Sequence, residues 1–178
     1  MSVLAFKSLL DKYIAENFVG EEKSSLHSIR GILSFALPPA TEIFQSHKAR
    51  PSPAEVNFRQ LYSEKMQETF STMLLRLIDE TEKKPSEIYS RALVDRRLFS
   101  KIANNINYKP SKQTALAFAF ALNLNYADTQ KLLAAAGFTL SNSSLFDVII
   151  SFFLEYEIFD IDSVNQTLYE YHQPLLGC

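Results

Sequence analysis

Residues 83–112 read KKPSEIYSRALVDRRLFSKIANNINYKPSK, and this stretch decides the fold. It predicts a helix over 85–92, a sharp turn at Leu93-Val94 and a second helix over 96–104. Pro85 suits a first helical turn, where its missing N–H is no loss, and Glu87 complements the positive end of the helix dipole. Asp95 stands where an N-cap accepts the free N–H groups of the next turn, so an Ala there should cost ~1 kcal/mol. Ile88, Ala92, Val94, Phe99 and Ile102 fall on the inward side, and Tyr89 covers the edge. Arg96, Arg97, Ser100, Lys101 and Asn104 fall on the outer face. Asn104-Asn105 is expected to end the helix, because Asn tolerates left-handed geometry. A charged outer face on a short capped helix is a surface for meeting a nucleic acid or another protein, not a reaction centre.

Outward from this stretch the pattern stays helical. Asn107-Tyr108-Lys109-Pro110 reads as a loop, and Ser111 caps a helix over 112–123 that is apolar nearly all round and therefore central. Asn125 or Tyr126 opens a helix over about 127–136 that stops at Gly137. Residues 144–156 form another, and Asp160 caps a last one carrying Ile161, Val164, Leu168 and Tyr171, followed by QPLLGC. Upstream, Phe58, Leu61, Tyr62, Met66, Phe70, Met73, Leu74, Leu77 and Ile78 keep a three-to-four rhythm, with the first helix of the main domain over about 69–81. Met66 and Met73 read as adaptable core filler. Pro38-Pro39 and Pro51-Ser52-Pro53 disfavour helix and strand, so 38–54 reads as a linker, after a short helix over 26–37. This divides the chain into an N-terminal helix and arm, 1–54, and a helical domain, 55–178. Residues 3–18 form an amphipathic helix with Val3, Phe6, Leu10, Tyr13 and Ile14 on one stripe. A helix of that length must bury the stripe, either on its own domain or on a partner or second copy.

Fourteen Phe and eight Tyr among 178 residues supply a packed core, and only four Gly and seven Pro leave long unbroken segments. The formal net charge is −2. Residues 76–112 nevertheless carry nine Lys/Arg against five Asp/Glu, and residues 113–178 one against seven, which places a basic face beside an acidic region. The single cysteine, Cys178, allows no internal disulfide. Lys7, Asp11 and Lys12 interrupt any secretion signal, and no uncharged run approaches the ~20 apolar residues of a membrane span, so a soluble cytoplasmic protein is expected. Enzyme chemistry finds no support: His27, His47 and His172 are scattered, Gly20, Gly31, Gly137 and Gly177 form no phosphate loop, Asp160/Asp162 read as helix-capping residues, and Glu155/Glu157 as a solvated face. No metal and no cofactor is expected.

On SEIYSRALVDRRLFSKIANN (86–105) followed by KPSKQTALAFAFALNL (109–124), residues 74–123 resemble the Cro/repressor-type (XRE-like) helix-turn-helix family. Val94 matches the family's apolar turn position, Asp95 its cap, Phe99 and Ile102 its inward positions, and Lys109-Pro110-Ser111 its loop. The stretch departs from the family at Lys84, usually a Ser or Thr cap, at Pro85, where the family often has a phosphate-bracing Gln, and at Leu93, usually Gly. Residues 69–177 also resemble a bacterial C-terminal helical module that is sometimes fused to macro domains. The resemblance implies an all-α, lambda-repressor-like helix-turn-helix bundle with two extra C-terminal helices and an N-terminal helical arm. It further implies a transcriptional regulator that reads double-stranded DNA as a homodimer. Arg96 and Arg97 would then pair with guanines, Ser100, Lys101 and Asn104 would read bases or hold phosphate, and Lys83, Lys84, Lys109 and Lys112 would flank the motif on phosphates. The alternative is an adaptor of defence or toxin–antitoxin type that holds a protein partner through the same fold, the N-terminal helix 3–18 or the C-terminal helices.

Overall fold

The computed structural model describes residues 3–20 and 68–177, and every element in them is helical. The eight helices are α1 (Val3–Asn17), α2 (Phe70–Glu80), α3 (Pro85–Arg91), α4 (Arg96–Asn104), α5 (Lys112–Ala121), α6 (Tyr126–Ala135), α7 (Leu145–Glu155) and α8 (Ile161–Glu170). The expected helix over 26–37, the proline linker over 38–54, the boundary at 54/55 and the apolar positions Phe58 to Met66 lie outside the described residues.

Two helices are buried on every side. In α5, Thr114 to Ala121 are all buried; in α7, Phe146 to Leu154 are all buried. Helices without a polar face need neighbours all round, and the remaining elements supply them. Helix α5 packs on α3, α6 and α8, while α7 packs on α1, α6 and α8, so α6 and α8 join the two centres. The outer pair α3 and α4 touch each other, and α2 reaches both α4 and α6.

Helix α1 closes the open side of α7. Leu10 is 1% exposed, the Phe6 ring lies 5.6 Å from Phe152 and 5.8 Å from Phe153, and Tyr13 lies 5.3 Å from Phe152. The Val19 N–H donates to the Asn142 carbonyl at 2.8 Å, and the Tyr171 hydroxyl donates to Asp11. Of the apolar stripe of this helix, Leu10 is therefore buried on its own body, and Phe6, Tyr13 and Ile14 are half-buried against it.

Helix starts follow side-chain chemistry. Thr69, Asp95, Ser111, Asn125, Ser144 and Asp160 each accept a backbone N–H of the first turn. Helix ends follow a different rule. Leu93, Asn123, Gly137, Glu157 and His172 all sit at left-handed φ, and only one of them is glycine. In each case the next residue's N–H closes back on the helix: Val94 to Tyr89, Leu124 to Ala119, Phe138 to Leu133, Ile158 to Phe153 and Gln173 to Leu168, at 2.8–3.0 Å. Four of those five closing residues are apolar, which supplies the hydrophobic contact that accompanies this cap and offsets the left-handed strain of a side chain. After α2 the left-handed residue is Glu82, but there the next N–H, of Lys83, donates to the Thr81 hydroxyl at 3.4 Å; helix α4 ends otherwise again. Asn105 is extended, not left-handed (φ −128°, ψ 101°). Its side-chain oxygen accepts the Asn107 N–H at 3.0 Å, and its carbonyl accepts the Ser71 hydroxyl of α2 at 2.9 Å. An Asx turn and a tertiary bond thus replace the expected Asn cap.

Candidate nucleic-acid interface

Helix α4 is held by its apolar side. Ile102 is fully buried, Val94 is buried in the preceding turn, and Phe99 lies 5.2 Å from Tyr89 of α3 and 6.2 Å from Phe118 of α5. Asp95 accepts the N–H groups of Arg97 and Leu98, which fixes the first turn. A helix locked on one face by three neighbours presents its other face in a defined register. On that face Arg96, Arg97, Ser100, Lys101 and Asn104 are all exposed. Asn104 turns back to donate to the Ser100 carbonyl at 2.8 Å and its hydroxyl at 3.2 Å, so these two polar side chains satisfy each other one turn apart.

Charge pairing divides the cations into two groups. Arg76 is clamped between Glu68 and Glu80, Lys131 holds Asp128, and Lys12 lies 3.9 Å from Glu16. By contrast, Arg96, Arg97, Lys101, Lys83, Lys84 and Lys109 are exposed and have no carboxylate within 4.0 Å among the described residues. Arg91, at the end of α3, donates to the Asn123 side chain at 3.0 Å.

Lys112 stands apart from the set in which the sequence placed it. Its Nζ lies 2.6 Å from Oδ1 and 2.7 Å from Oδ2 of Asp147, a buried residue in the first turn of α7. Asp147 Oδ2 also accepts the Ser141 N–H at 3.0 Å. Oδ1 has no aligned hydrogen bond, so the ammonium group is what balances it. Lys112 therefore pins the start of α5 to the start of α7 and is not available to a phosphate. The Ser144–Asp147 spacing marks a helix start in the sequence, but nothing local points from Asp147 to a lysine 35 residues earlier.

Helix α3 is plain at its N-terminus. Lys84 occupies the cap position without a side-chain bond, and Pro85 removes an N–H. No group of three His, Cys, Asp or Glu side chains that could hold a metal ion occurs among the described residues. Among the same residues no helix is long and apolar enough to cross a membrane. No family model, no curated protein and no solved structure matches this chain.

Proposed function

We propose that this protein binds double-stranded DNA, as an XRE-like transcriptional regulator that lays α4 in the major groove. One observation carries the reading: three cations unpaired among the described residues, Arg96, Arg97 and Lys101, stand on the exposed side of a helix whose other side is locked into the core. Leaving cations unpaired and solvated is inexpensive only where water or a polyanion meets them. Arg96 and Arg97, at the N-terminal end of α4, are the residues for bidentate contact with guanine, each worth ~1–3 kcal/mol of discrimination. Ser100, Lys101 and Asn104 follow one turn on. Lys83, Lys84 and Lys109 flank the helix for phosphates, while Lys112 serves the core. The exposed carboxylates Glu155, Glu157, Asp162 and Glu170, in and beside α7 and α8, would be repelled by a duplex. A two-fold dimer would set two such helices about 34 Å apart.

The test is the affinity for random duplex DNA as a function of salt. If Lys83, Lys84, Lys101 and Lys109 each neutralise a phosphate, log K falls against log salt with a slope of about −3.6. Arg96→Ala with Arg97→Ala abolishes preference for a selected site and leaves the helical circular dichroism unchanged. The competing reading is a protein-binding adaptor, favoured by the plain N-terminus of α3, where the missing cap and missing N–H offer little to a phosphate. Absence of salt-sensitive duplex binding by the wild-type chain decides for the adaptor.

A further inference from the structure

The segment after α8 returns to the turn between α3 and α4. Leu176 is 1% exposed, and the side chain of Asn165 on α8 brackets it: Asn165 Nδ2 donates to the Leu176 carbonyl at 3.1 Å, and the Leu176 N–H donates to Asn165 Oδ1 at 2.8 Å. One side-chain amide thus replaces a strand neighbour and satisfies both main-chain groups of a buried residue. Gly177 comes next, at φ +87°. A methyl group there would lie 2.8 Å from Leu93 Cβ and 3.1 Å from the carbonyl oxygens of Ala92 and Leu93. The backbone of Gly177 therefore rests directly on the turn, against a leucine that itself sits at left-handed φ 54°. Leu93 is followed by Val94, which closes α3, and by Asp95, which starts α4.

We infer that residues 173–177 form a strap that positions α4, with Asn165 as its anchor and Gly177 as its point of contact with Leu93. The left-handed conformation of Leu93 sets the direction in which the chain leaves α3. A residue so strained keeps its conformation only where its surroundings hold it. Val94 holds it from inside and Gly177 from outside. The strap thereby fixes the register in which Arg96 and Arg97 are offered, a role that rests on the reading of α4 as the DNA-contacting helix.

The experiment compares wild type, Asn165→Asp, Gly177→Ala and the double variant Leu93→Gly/Gly177→Ala, each as the full chain. Two quantities are measured: amide hydrogen exchange at Val94, Arg97 and Leu98, and the preference for a selected duplex site, taken as the ratio of the dissociation constants for random and selected duplex at one low salt concentration, in which the charge added by Asn165→Asp cancels. Asn165→Asp keeps the acceptor for Leu176 and loses the donor, so it loosens the strap without altering the turn. The strap predicts that exchange at the three amides accelerates roughly 5- to 30-fold in both single variants, while protection in α5 is unchanged. The site preference falls with it, and Leu93→Gly restores part of both losses in the Gly177→Ala chain by removing the Cβ contact. Unchanged exchange at Val94 in Asn165→Asp overturns the strap, as does a double variant no better than Gly177→Ala. Faster exchange with unchanged site preference overturns its positioning role. If the wild-type chain binds no duplex, the reading of α4 fails, and with it that role; the exchange data still decide whether the strap holds the turn.

Discussion

Removing the Lys112 side chain tests the claim that it belongs to the core. Asp147 is buried, and the ammonium group within 2.7 Å of both its oxygens is the cation that balances it. Lys112→Met leaves a carboxylate in an apolar setting with one hydrogen bond, from the Ser141 N–H. Breaking a buried pair by deleting one partner costs ~3–5 kcal/mol, because the remaining charge has no compensation. The Lys112 side chain is 22% exposed, so water moderates the loss and the lower end applies, about 3 kcal/mol. For a chain of this length that lowers Tm by about 6–12 °C. Thermal unfolding followed by circular dichroism measures it, with Lys101→Met as control: that side chain is exposed and unpaired, so its loss leaves Tm in place. Adding Asp147→Asn to Lys112→Met keeps the acceptor for Ser141, removes the charge, and restores most of the stability. The reasoning is refuted if Lys112→Met leaves Tm unchanged and instead weakens the salt dependence of duplex binding, as a phosphate contact would.

Three further outcomes follow from the packing and the helix ends. Leu10→Ala costs ~2–5 kcal/mol if α1 is an integral part of the body; chemical denaturation showing no loss would make α1 a detachable arm. Glu157→Gly stabilises by about 0.5–1 kcal/mol, because Glu157 is exposed at left-handed φ 54° and glycine removes that strain at a modest entropic cost; a lower denaturation midpoint would contradict it. Burial, and then the hydrogen bond to Asp11, push Tyr171 up to about 12, above the ordinary phenol value. The unfolded chain therefore loses this proton first, and the resulting stability is complete below about pH 10 and is lost as pH rises toward 12. Tyr171→Phe flattens that decline, leaving the part due to Tyr13, which burial and the Glu155 carboxylate also raise; equal slopes in both chains would count against the assignment.

What was legible in the sequence is what a few neighbouring residues decide. Asp95, Ser111, Asn125, Ser144 and Asp160 each reach an N–H two or three positions on, so they mark helix starts without reference to the rest of the chain. The helix ends were less legible. A left-handed Leu93 or Glu157 is tolerated because an apolar residue after it packs into the core, and that gain is tertiary. The stripe on α1 says that it must be covered but not by what: its counterparts Phe152 and Phe153 lie some 140 positions away.

The candidate site shows the same division. Exposure on α4 follows from helical phase against Ile102, so Arg96, Arg97 and Lys101 are found correctly on the outer face. Whether an outward cation is free is a separate question, because its partner can come from any element. Lys112, at the first position of a capped helix, and Lys109, in the loop before it, belong to the same basic stretch, yet one meets a buried carboxylate and the other meets none among the described residues. Charge counted along the stretch therefore overstates the charge available to a ligand. The usable quantity is the unpaired charge on one face, which among the described residues Arg96, Arg97 and Lys101 supply on α4.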